Sequence, residues 1–495
     1  MRLSLQQFAA VVLFLRDADA APAGLLDPAT GLLEPAGGVL DPAGGVLDPA
    51  GGVLDPVGKG VGLVTKQLSL PTNYAECLTG IVGTKPAAGA GVRNAAELQS
   101  KLGAIWNTGG AANFFDKVQK QIGMGIAPSG ILSNFQGLLG TGILGSPDLA
   151  NKFIAPISPI DSTANNNIRT PVKPIWPRKD AADAPYTLSE AQLRQAIYIP
   201  QTFTYGQKPP VIFVPGTGTY GGEAFSPNLL KLLSNVPYAD PVWLNIPGAL
   251  LADAQTNSEY VAYAINYING VSSQNCSVIS WSQGSLDTQW AFTFWPSTRS
   301  VVTNFFPVSP DFHGTVFANA LCLSPGNGAP NAPCDPSVIQ QQYTSQFINT
   351  LRAHGGADAY VPTTTFYTAL DEIVEPMQGT VASAFLSDAR RVGVTNVEVQ
   401  SVCAGRPAGG FYGHATMLSN PLTAALIKDA LQRGRGPAQV SNINLNEVCK
   451  DIIAPGLSFE DGVATAGTIV PAAIRLLGYL PKLVAEPPLM AYARE

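Results

Sequence analysis

The chain has 495 residues, enough for a globular domain of ordinary size and a long extension. Only 13% of the residues are charged, and 29 basic against 35 acidic residues give a net charge of −6, which argues against a surface that binds nucleic acid or an anionic membrane. The hydrophobic share of 46%, with 50 glycines and 41 prolines, indicates a large apolar core under long loops.

Residues 1–20 have the pattern of a secretory signal peptide. Arg2 precedes an apolar stretch at residues 8–15, and Ala18-Asp-Ala20 offers a cleavage site. The stretch is too short to span a bilayer, and the longest later candidate, residues 463–480, is interrupted by a proline and an arginine. We therefore expect a secreted, extracellular protein with no transmembrane segment.

Three further segments precede the main domain. Residues 21–57 repeat the unit Leu-Asp-Pro-Ala-Gly-Gly-Val with a period of seven, and its prolines and paired glycines favour a flexible spacer over a coiled coil. Residues 58–157 contain short amphipathic stretches typical of a small helical subdomain or a prosegment. Residues 158–183 are rich in Pro and Asn and are predicted to be a linker, in which the pair Arg178-Lys179 suits either a processing site or a solvated surface. Residues 184–495 are predicted to form the main domain.

A strand-turn-helix pattern surrounds Ser282. The apolar run of residues 276–280 predicts a strand, and a helix-like segment begins at Ser285. Between them, Ser280-Trp-Ser-Gln-Gly284 matches a relaxed G-x-S-x-G motif, with a serine in place of the first glycine. Such a turn projects the central hydroxyl above the sheet, so Ser282 is the candidate nucleophile. The alternative is an ordinary turn in a chain rich in Ser and Gly.

A serine nucleophile needs a general base and an acid that orients the base. In α/β-hydrolases the acid comes next in the chain and the histidine last. Asp371 ends an aromatic, β-branched run, which places its carboxylate on the loop leaving a predicted strand, and of three histidines only His414 lies beyond it. The predicted triad is therefore Ser282, Asp371 and His414. There are two alternatives. Asp371 could cap a turn, or His313 or His354 could be the base of a rearranged fold.

A Gly-Thr-Gly turn follows the predicted buried strand at residues 210–214. In hydrolases this turn supplies one amide of the oxyanion hole, and the residue after the nucleophile supplies another. Thr217 and Gln283 are the predicted donors, and the Thr217 hydroxyl is a candidate third. A phosphate-binding loop is the alternative, but no lysine or full glycine fingerprint follows it.

These motifs resemble those of a known family. Together with Pro310-Asp-Phe-His-Gly-Thr-Val316, Asp371-Glu-Ile-Val374 and Glu486-Pro-Pro-Leu-Met-Ala-Tyr-Ala-Arg494, they are similar, in one collinear order, to the Candida antarctica lipase B-like family of fungal lipases. The resemblance runs from about Asp183 to Arg494. It implies an α/β-hydrolase fold, with a mostly parallel central sheet flanked by helices, and ester hydrolysis without a cofactor or a metal. The N-terminal extension is expected to be largely helical or disordered.

The resemblance also implies a substrate pocket. Trp281 resembles the tryptophan under the alcohol side, although a tryptophan beside a buried strand is also typical of a core position. Asp311 and Gln341 match polar residues of the acyl side, and Ala224 replaces a small hydroxyl residue, so stereochemical preference is expected to differ. The implied pocket residues are Trp281, Thr219, Ala224, Asp311, Gln341 and Ile373.

Six cysteines in an exported chain suggest three disulfides, for which 15 pairings exist. The resemblance supports the pair Cys403–Cys449. A bridge between Cys322 and Cys334 would close a small loop beside the mouth of the site and restrain a segment that could gate access. The remaining cysteines give the third predicted pair, Cys77–Cys276. After Val316 the chain is longer and richer in turn residues than the family's short helix, so no helix is expected there.

The sequence thus predicts a secreted, monomeric triacylglycerol lipase that degrades lipid through an acyl-enzyme, with substrate met at an oil-water interface. One alternative is an esterase for short-chain or polymeric substrates. Another is a non-catalytic hydrolase-fold protein that binds a surface or cell wall through its repeat. A peptidase would use the same triad.

Overall fold

The computed structural model of the protein describes residues 158–322 and 333–494. The predicted signal peptide, the repeat, the predicted helical or disordered extension and Cys77 lie outside these residues, as does part of the loop between Cys322 and Cys334. The assignments made there, and the domain boundaries, stay predictions.

A seven-stranded sheet forms the centre of the fold. Its strands are β1 (Ile197–Tyr198), β2 (Pro210–Val214), β3 (Asp240–Leu244), β4 (Cys276–Trp281), β5 (Val302–Val308), β6 (Thr363–Tyr367) and β7 (Val394–Glu398). They lie in the order β1-β3-β2-β4-β5-β6-β7. Only β1 pairs antiparallel with its neighbour, and the other pairs are parallel. The predicted mostly parallel sheet is confirmed.

Helices cover both faces of this sheet. The helices are α1 (Glu190–Gln195), α2 (Gly221–Phe225), α3 (Leu229–Leu233), α4 (Ala254–Ser272), α5 (Gln283–Phe294), α6 (Val316–Leu321), α7 (Pro336–Gln340), α8 (Gln346–Ala353), α9 (Val399–Val402), α10 (Pro421–Arg433), α11 (Leu445–Val448), α12 (Phe459–Gly467) and α13 (Ile469–Gly478). Buried residues of α4, α5 and α8 share one core cluster, and those of α2, α3 and α10 share the other.

Strand β2 shows why the sheet is buried on both sides. Successive side chains of a strand point to opposite faces. Accordingly Ile212 and Val214 belong to the core cluster of α4 and α5, whereas Val211 and Phe213 belong to the cluster of α2 and α10. All four are fully buried, so the continuous apolar run in the sequence reflects a strand covered on both faces.

One expectation about helices was wrong, and one apolar segment is divided by a proline. The segment after Val316 was expected to lack a helix, yet α6 covers Val316–Leu321, before the turn-rich residues begin. The apolar segment 463–480 is divided between two helices, since α12 ends at Gly467 and α13 begins at Ile469. Pro471 explains the break, because its ring clashes with the carbonyl four residues earlier and it has no N–H to donate.

No helix within the described ranges is long and apolar enough to cross a membrane.

Two of the three predicted disulfides are present. Cys322–Cys334 and Cys403–Cys449 are bonded, with 12 and 46 residues of sequence separation. The third predicted pair, Cys77–Cys276, stays a prediction because Cys77 lies outside the described residues, within which Cys276 is a free thiol. Its side chain is fully buried at the start of β4, in the core cluster of α4 and α5.

The segment predicted as a linker packs against the sheet domain. Asp161, Ile175 and Asp183 are buried. Asp183 accepts hydrogen bonds from the backbone and hydroxyl of Ser297, at 2.9 and 2.6 Å. Lys179 Nζ donates to Asn266 Oδ1 at 3.0 Å. Residues 158–183 therefore follow the surface of the domain.

Candidate active site

Ser282 lies on the sharp turn between β4 and α5. Its backbone angles are φ 54° and ψ −134°, a region that residues with a side chain rarely adopt and that concentrates at functional sites. Its N–H donates to Val308 O at 3.0 Å, which anchors the turn to the end of β5. The strand-turn-helix setting predicted for the motif is confirmed.

The residues two places before and after Ser282 explain how the relaxed motif fits. A Cβ on Gly284 would lie 2.2 Å from Pro215 O and 2.7 Å from Val214 O, so this position requires glycine. Ser280 stands where the motif usually has its first glycine, and its Oγ lies 2.7 Å from Ser285 Oγ in a buried hydroxyl pair. That hydrogen bond satisfies the extra hydroxyl, so the departure from the motif is accommodated.

The turn after β2 lies against the nucleophile. A Cβ on Gly216 would lie 2.9 Å from Ser282 Cβ. The next residue, Thr217, donates its hydroxyl to Gln283 Oε1 at 2.8 Å, and Gln341 Nε2 donates to the same oxygen at 2.9 Å. Gln283 is the first residue of α5, and the N–H groups of a helix's first turn have no acceptor within the helix. The two predicted oxyanion donors therefore flank Ser282.

His414 and Asp371 form a buried pair. His414 Nδ1 lies 2.8 Å from Asp371 Oδ2 and 3.0 Å from Oδ1. The carboxylate also accepts from the backbone N–H groups of Ile373 and Val374, at 3.0 and 2.8 Å. Because Nδ1 faces the carboxylate, Nε2 is the ring nitrogen that remains for proton transfer. Asp371 stands four residues after β6, on the loop predicted from the sequence.

The backbone of His414 is fixed beside the nucleophile turn. Trp281 Nε1 and Ser309 Oγ both donate to His414 O, at 3.2 and 3.1 Å. His414 N donates to Glu372 Oε2 at 2.8 Å. Sequence reasoning missed Glu372 and Ser309, although the acidic pair at Asp371 was a visible signal for the first.

The surrounding charges favour a protonated imidazole. Burial alone lowers the pKa of His414, but the carboxylates of Asp371, Glu372 and Asp311 outweigh it, so the net pKa is raised above 6.5. Burial and the neighbouring Asp371 raise the pKa of Glu372 to about 7 and that of Glu375 to about 8. The site therefore stabilises the charge that a general base acquires when it accepts a proton.

The other predicted pocket residues have different surroundings. Asp311 is fully buried, and neither carboxyl oxygen has a hydrogen-bond partner among the described residues; burial raises its pKa to about 7. Thr219 Oγ1 donates to Gly216 O at 2.8 Å. Ala224 lies fully buried in the core cluster of α2 and α10. Ile373 packs beside Val374 and accepts from Thr315 through its carbonyl. Their pocket roles stay predictions.

Within residues 158–322 and 333–494, no group of three or more His, Cys, Asp or Glu side chains could hold a metal ion.

Comparison with known proteins gives the family. No family model matches the chain. Lipase B of Pseudozyma antarctica is 36% identical over 275 residues, which cover 55% of this chain and 75% of that protein. The chain belongs to the lipase B family. The crystal structure of Aspergillus fumigatus lipase B is 40% identical, with a TM-score of 0.65, and the match covers 87% of this chain and 99% of that chain.

These relatives confirm the predicted lipase B resemblance and the α/β-hydrolase fold. They also identify the chain as a hydrolase of the lipase and esterase type, acting on carboxylic esters.

Proposed function

We propose that this lipase B family member is a secreted serine lipase that hydrolyses triacylglycerol through an acyl-enzyme formed on Ser282. The observation that carries the proposal is the buried His414–Asp371 pair, which Trp281 bonds to the turn that carries Ser282 at positive φ. A nucleophile, a base and an orienting acid are the three parts that acyl transfer by serine requires.

Acylation begins when Ser282 Oγ attacks the ester carbonyl carbon while His414 Nε2 accepts the hydroxyl proton. The carbonyl oxygen becomes an anion, which the N–H groups of Thr217 and Gln283 stabilise. When the C–O bond of the ester breaks, His414 returns the proton to the leaving alcohol. The acyl group stays on Ser282 as an ester.

Deacylation repeats these steps with water. His414 takes a proton from the water, the hydroxide attacks the acyl carbon, and Ser282 leaves with the proton that His414 returns. An alcohol in place of water would give a new ester by the same route. The carboxylates around His414 support both acylation and deacylation, because His414 is protonated to the imidazolium in each of these steps.

The predicted pocket divides the substrate between two sides. Trp281, Thr219 and Ala224 are assigned to the alcohol side, and Asp311 and Gln341 to the acyl side, with Ile373 also in the pocket. The Gln341 side chain supports this assignment, because it bonds the same Gln283 oxygen as Thr217 and so lies next to the proposed oxyanion donors. The two disulfides support secretion, since such bonds persist in oxidising compartments.

A short-chain esterase is the second candidate. The Cys322–Cys334 bridge favours it, because the bridge ties the end of α6 to a residue that is itself held by Leu483 through two backbone hydrogen bonds of 2.8 Å. A segment restrained in this way gates a site less freely. Large emulsified substrates depend on such gating more than small soluble esters do.

Hydrolysis of emulsified long-chain triacylglycerol and of a soluble short-chain ester tests the proposal. The full chain is compared with Ser282→Ala and with Ser300→Ala, an exposed serine that serves as the matched control. We expect cleavage of both substrates by the wild type and the control, and a loss of about a million-fold in kcat for Ser282→Ala. Cleavage of the short ester alone would establish the esterase. No cleavage that depends on Ser282 would favour a binding protein.

A further inference from the structure

A buried ion pair lies behind the proposed oxyanion hole. Arg475 on α13 is fully buried, and it donates to both carboxylate oxygens of Glu223 on α2, one of them at 2.9 Å. The same guanidinium donates to Gly218 O at 2.8 Å. Gly218 directly follows Thr217. The charged side chain of Arg475 on α13 is therefore bonded to the turn that supplies one of the two proposed oxyanion amides.

The turn that follows Thr217 is held closely on the side that faces α13. Glu223 Oε1 also accepts from the N–H of Tyr220, at 2.9 Å. Gly218 has φ 73°, and a Cβ there would lie 2.7 Å from the carbonyl oxygen of Ala472 on α13. Residues 218–223 therefore take their position from Arg475 and Glu223 together, with α13 in direct backbone contact.

The segment predicted as a linker contributes the third part of this cluster. The short helical turn Pro159–Asp161 packs on α2, where Asp161 Oδ1 accepts from the N–H of Glu223 at 2.8 Å. Ile160 O accepts from Trp243 Nε1 at 2.7 Å. A Cβ on Gly222 would lie 2.6 Å from Asp161 Oδ1 and 2.7 Å from Ile160 O, so the contact depends on glycine at that position.

We propose that Asp161, Glu223 and Arg475 are positioning residues for the oxyanion hole, and that Pro159–Asp161 is thereby a working part of the catalytic domain. The inference rests on the proposed function, because it explains how the Thr217 amide is held where the ester oxygen becomes charged. Catalysis by preorganised donors is sensitive to such positions, since a misplacement of about 1 Å costs up to about a hundredfold in rate.

The charges of the cluster balance only when Asp161 is protonated. Its carboxyl is fully buried, and the titratable groups that face it are Glu223, Arg475 and Tyr220. Burial, with the Glu223 carboxylate adding to it, raises the pKa of Asp161 to about 8. Asp161 Oδ2 has no hydrogen-bond partner in the described part of the chain. Ionisation would therefore place a second, uncompensated negative charge against Glu223.

Steady-state kinetics on a soluble ester test the proposal with full-length variants. Glu223→Gln weakens the hold on Arg475. The double variant Glu223→Gln/Arg475→Met removes both charges and the bond to Gly218, so no buried charge is left unpaired. Leu351→Ala, a cavity in the core at α8, is the control for lost stability alone. We expect kcat to fall about 10- to 100-fold in the two cluster variants, with KM unchanged within about twofold, and to stay at the wild-type value in the control.

The pH profile gives a second readout. Wild-type kcat should fall as the pH rises through about 8, and Asp161→Asn, whose amide oxygen can still accept from Glu223, should lack this fall. The inference would be overturned if the cluster variants had the same kcat as Leu351→Ala, or if wild type and Asp161→Asn had the same pH profile of kcat. Either result would leave the proposed function standing. A wild type without turnover that depends on Ser282 would overturn the proposed function and the inference with it.

Discussion

Trp281 and His414 are joined by a hydrogen bond and a ring contact. The indole Nε1 donates to the carbonyl oxygen of His414 at 3.2 Å, and the two ring centroids lie 5.3 Å apart. Trp281 directly precedes Ser282 at the end of β4, whereas His414 comes from a loop after β7. The residue before the proposed nucleophile therefore helps to hold the loop that carries the proposed base.

Trp281→Phe should keep the ring contact and lose this hydrogen bond. We expect a loss of about 0.5–1.5 kcal/mol in the free energy of unfolding, since Ser309 still donates to the His414 carbonyl. The kcat should fall by up to about tenfold because the imidazole is held less firmly. Urea unfolding and ester kinetics measure the two effects. Trp176→Phe removes an indole bond to Leu188 at the surface and is the control, whose kcat should not change.

Asp371→Asn should remove most of the activity. The amide cannot stabilise the imidazolium and favours the wrong tautomer of His414, so a loss of about 10⁴-fold in kcat is expected. Asp180→Asn, an exposed aspartate, should leave kcat at the wild-type value. A loss below about tenfold for Asp371→Asn, measured with the same ester, would contradict the role assigned to Asp371.

Glu372 should influence the pH dependence of activity. His414 must be neutral to accept a proton, and its raised pKa places the acid limb of kcat/KM above pH 6.5. Glu372→Gln removes a negative charge that favours the imidazolium and keeps an oxygen for the His414 N–H. The limb should therefore move to lower pH. An unchanged limb in a pH series of kcat/KM would show that Glu372 is neutral in the free enzyme.

Asp161 should also make stability depend on pH. Its folded pKa of about 8 lies above the ordinary 3.8, so between these values the folded state binds a proton that the unfolded chain does not. Stability from this group is complete below about pH 4 and is lost as the pH rises through about 8. In urea unfolding at about pH 5, 7 and 9, Asp161→Asn should lose less stability than the wild type as the pH rises. Parallel curves would argue against protonation of Asp161.

The two disulfides should contribute unequally to stability. Cross-linking stabilises more when the closed loop is longer, and the separations are 46 residues for Cys403–Cys449 and 12 for Cys322–Cys334. Replacing both cysteines of a pair by serine should cost about 4 kcal/mol for the first and about 3 kcal/mol for the second. Denaturant midpoints of the two double variants give the order. The reverse order would mean that strain or residual structure outweighs loop entropy.

Local patterns in the sequence predicted the strand, turn and helix around Ser282, and the structure has them. The apolar run before Ser282, the acidic pair at Asp371 and the chain order of acid and histidine each depend on a few neighbouring residues. The strand ends and the turn at Ser282 follow directly from these patterns, because strand and turn preferences act over short distances.

Longer-range partners were decided by the tertiary structure alone. Arg475 appeared in the sequence only as a charge that interrupts an apolar segment, yet it is buried against Glu223, 252 residues away. Cys276 was considered in the sequence only as one member of a disulfide, yet its side chain packs in the core cluster of α4 and α5. Ser280 replaces a glycine because a second serine, Ser285, stands on the next helix to bond it. In each case the outcome depends on which side chains meet when the sheet and the helices pack. Contacts between residues so far apart in the chain cannot be read from a short stretch of sequence.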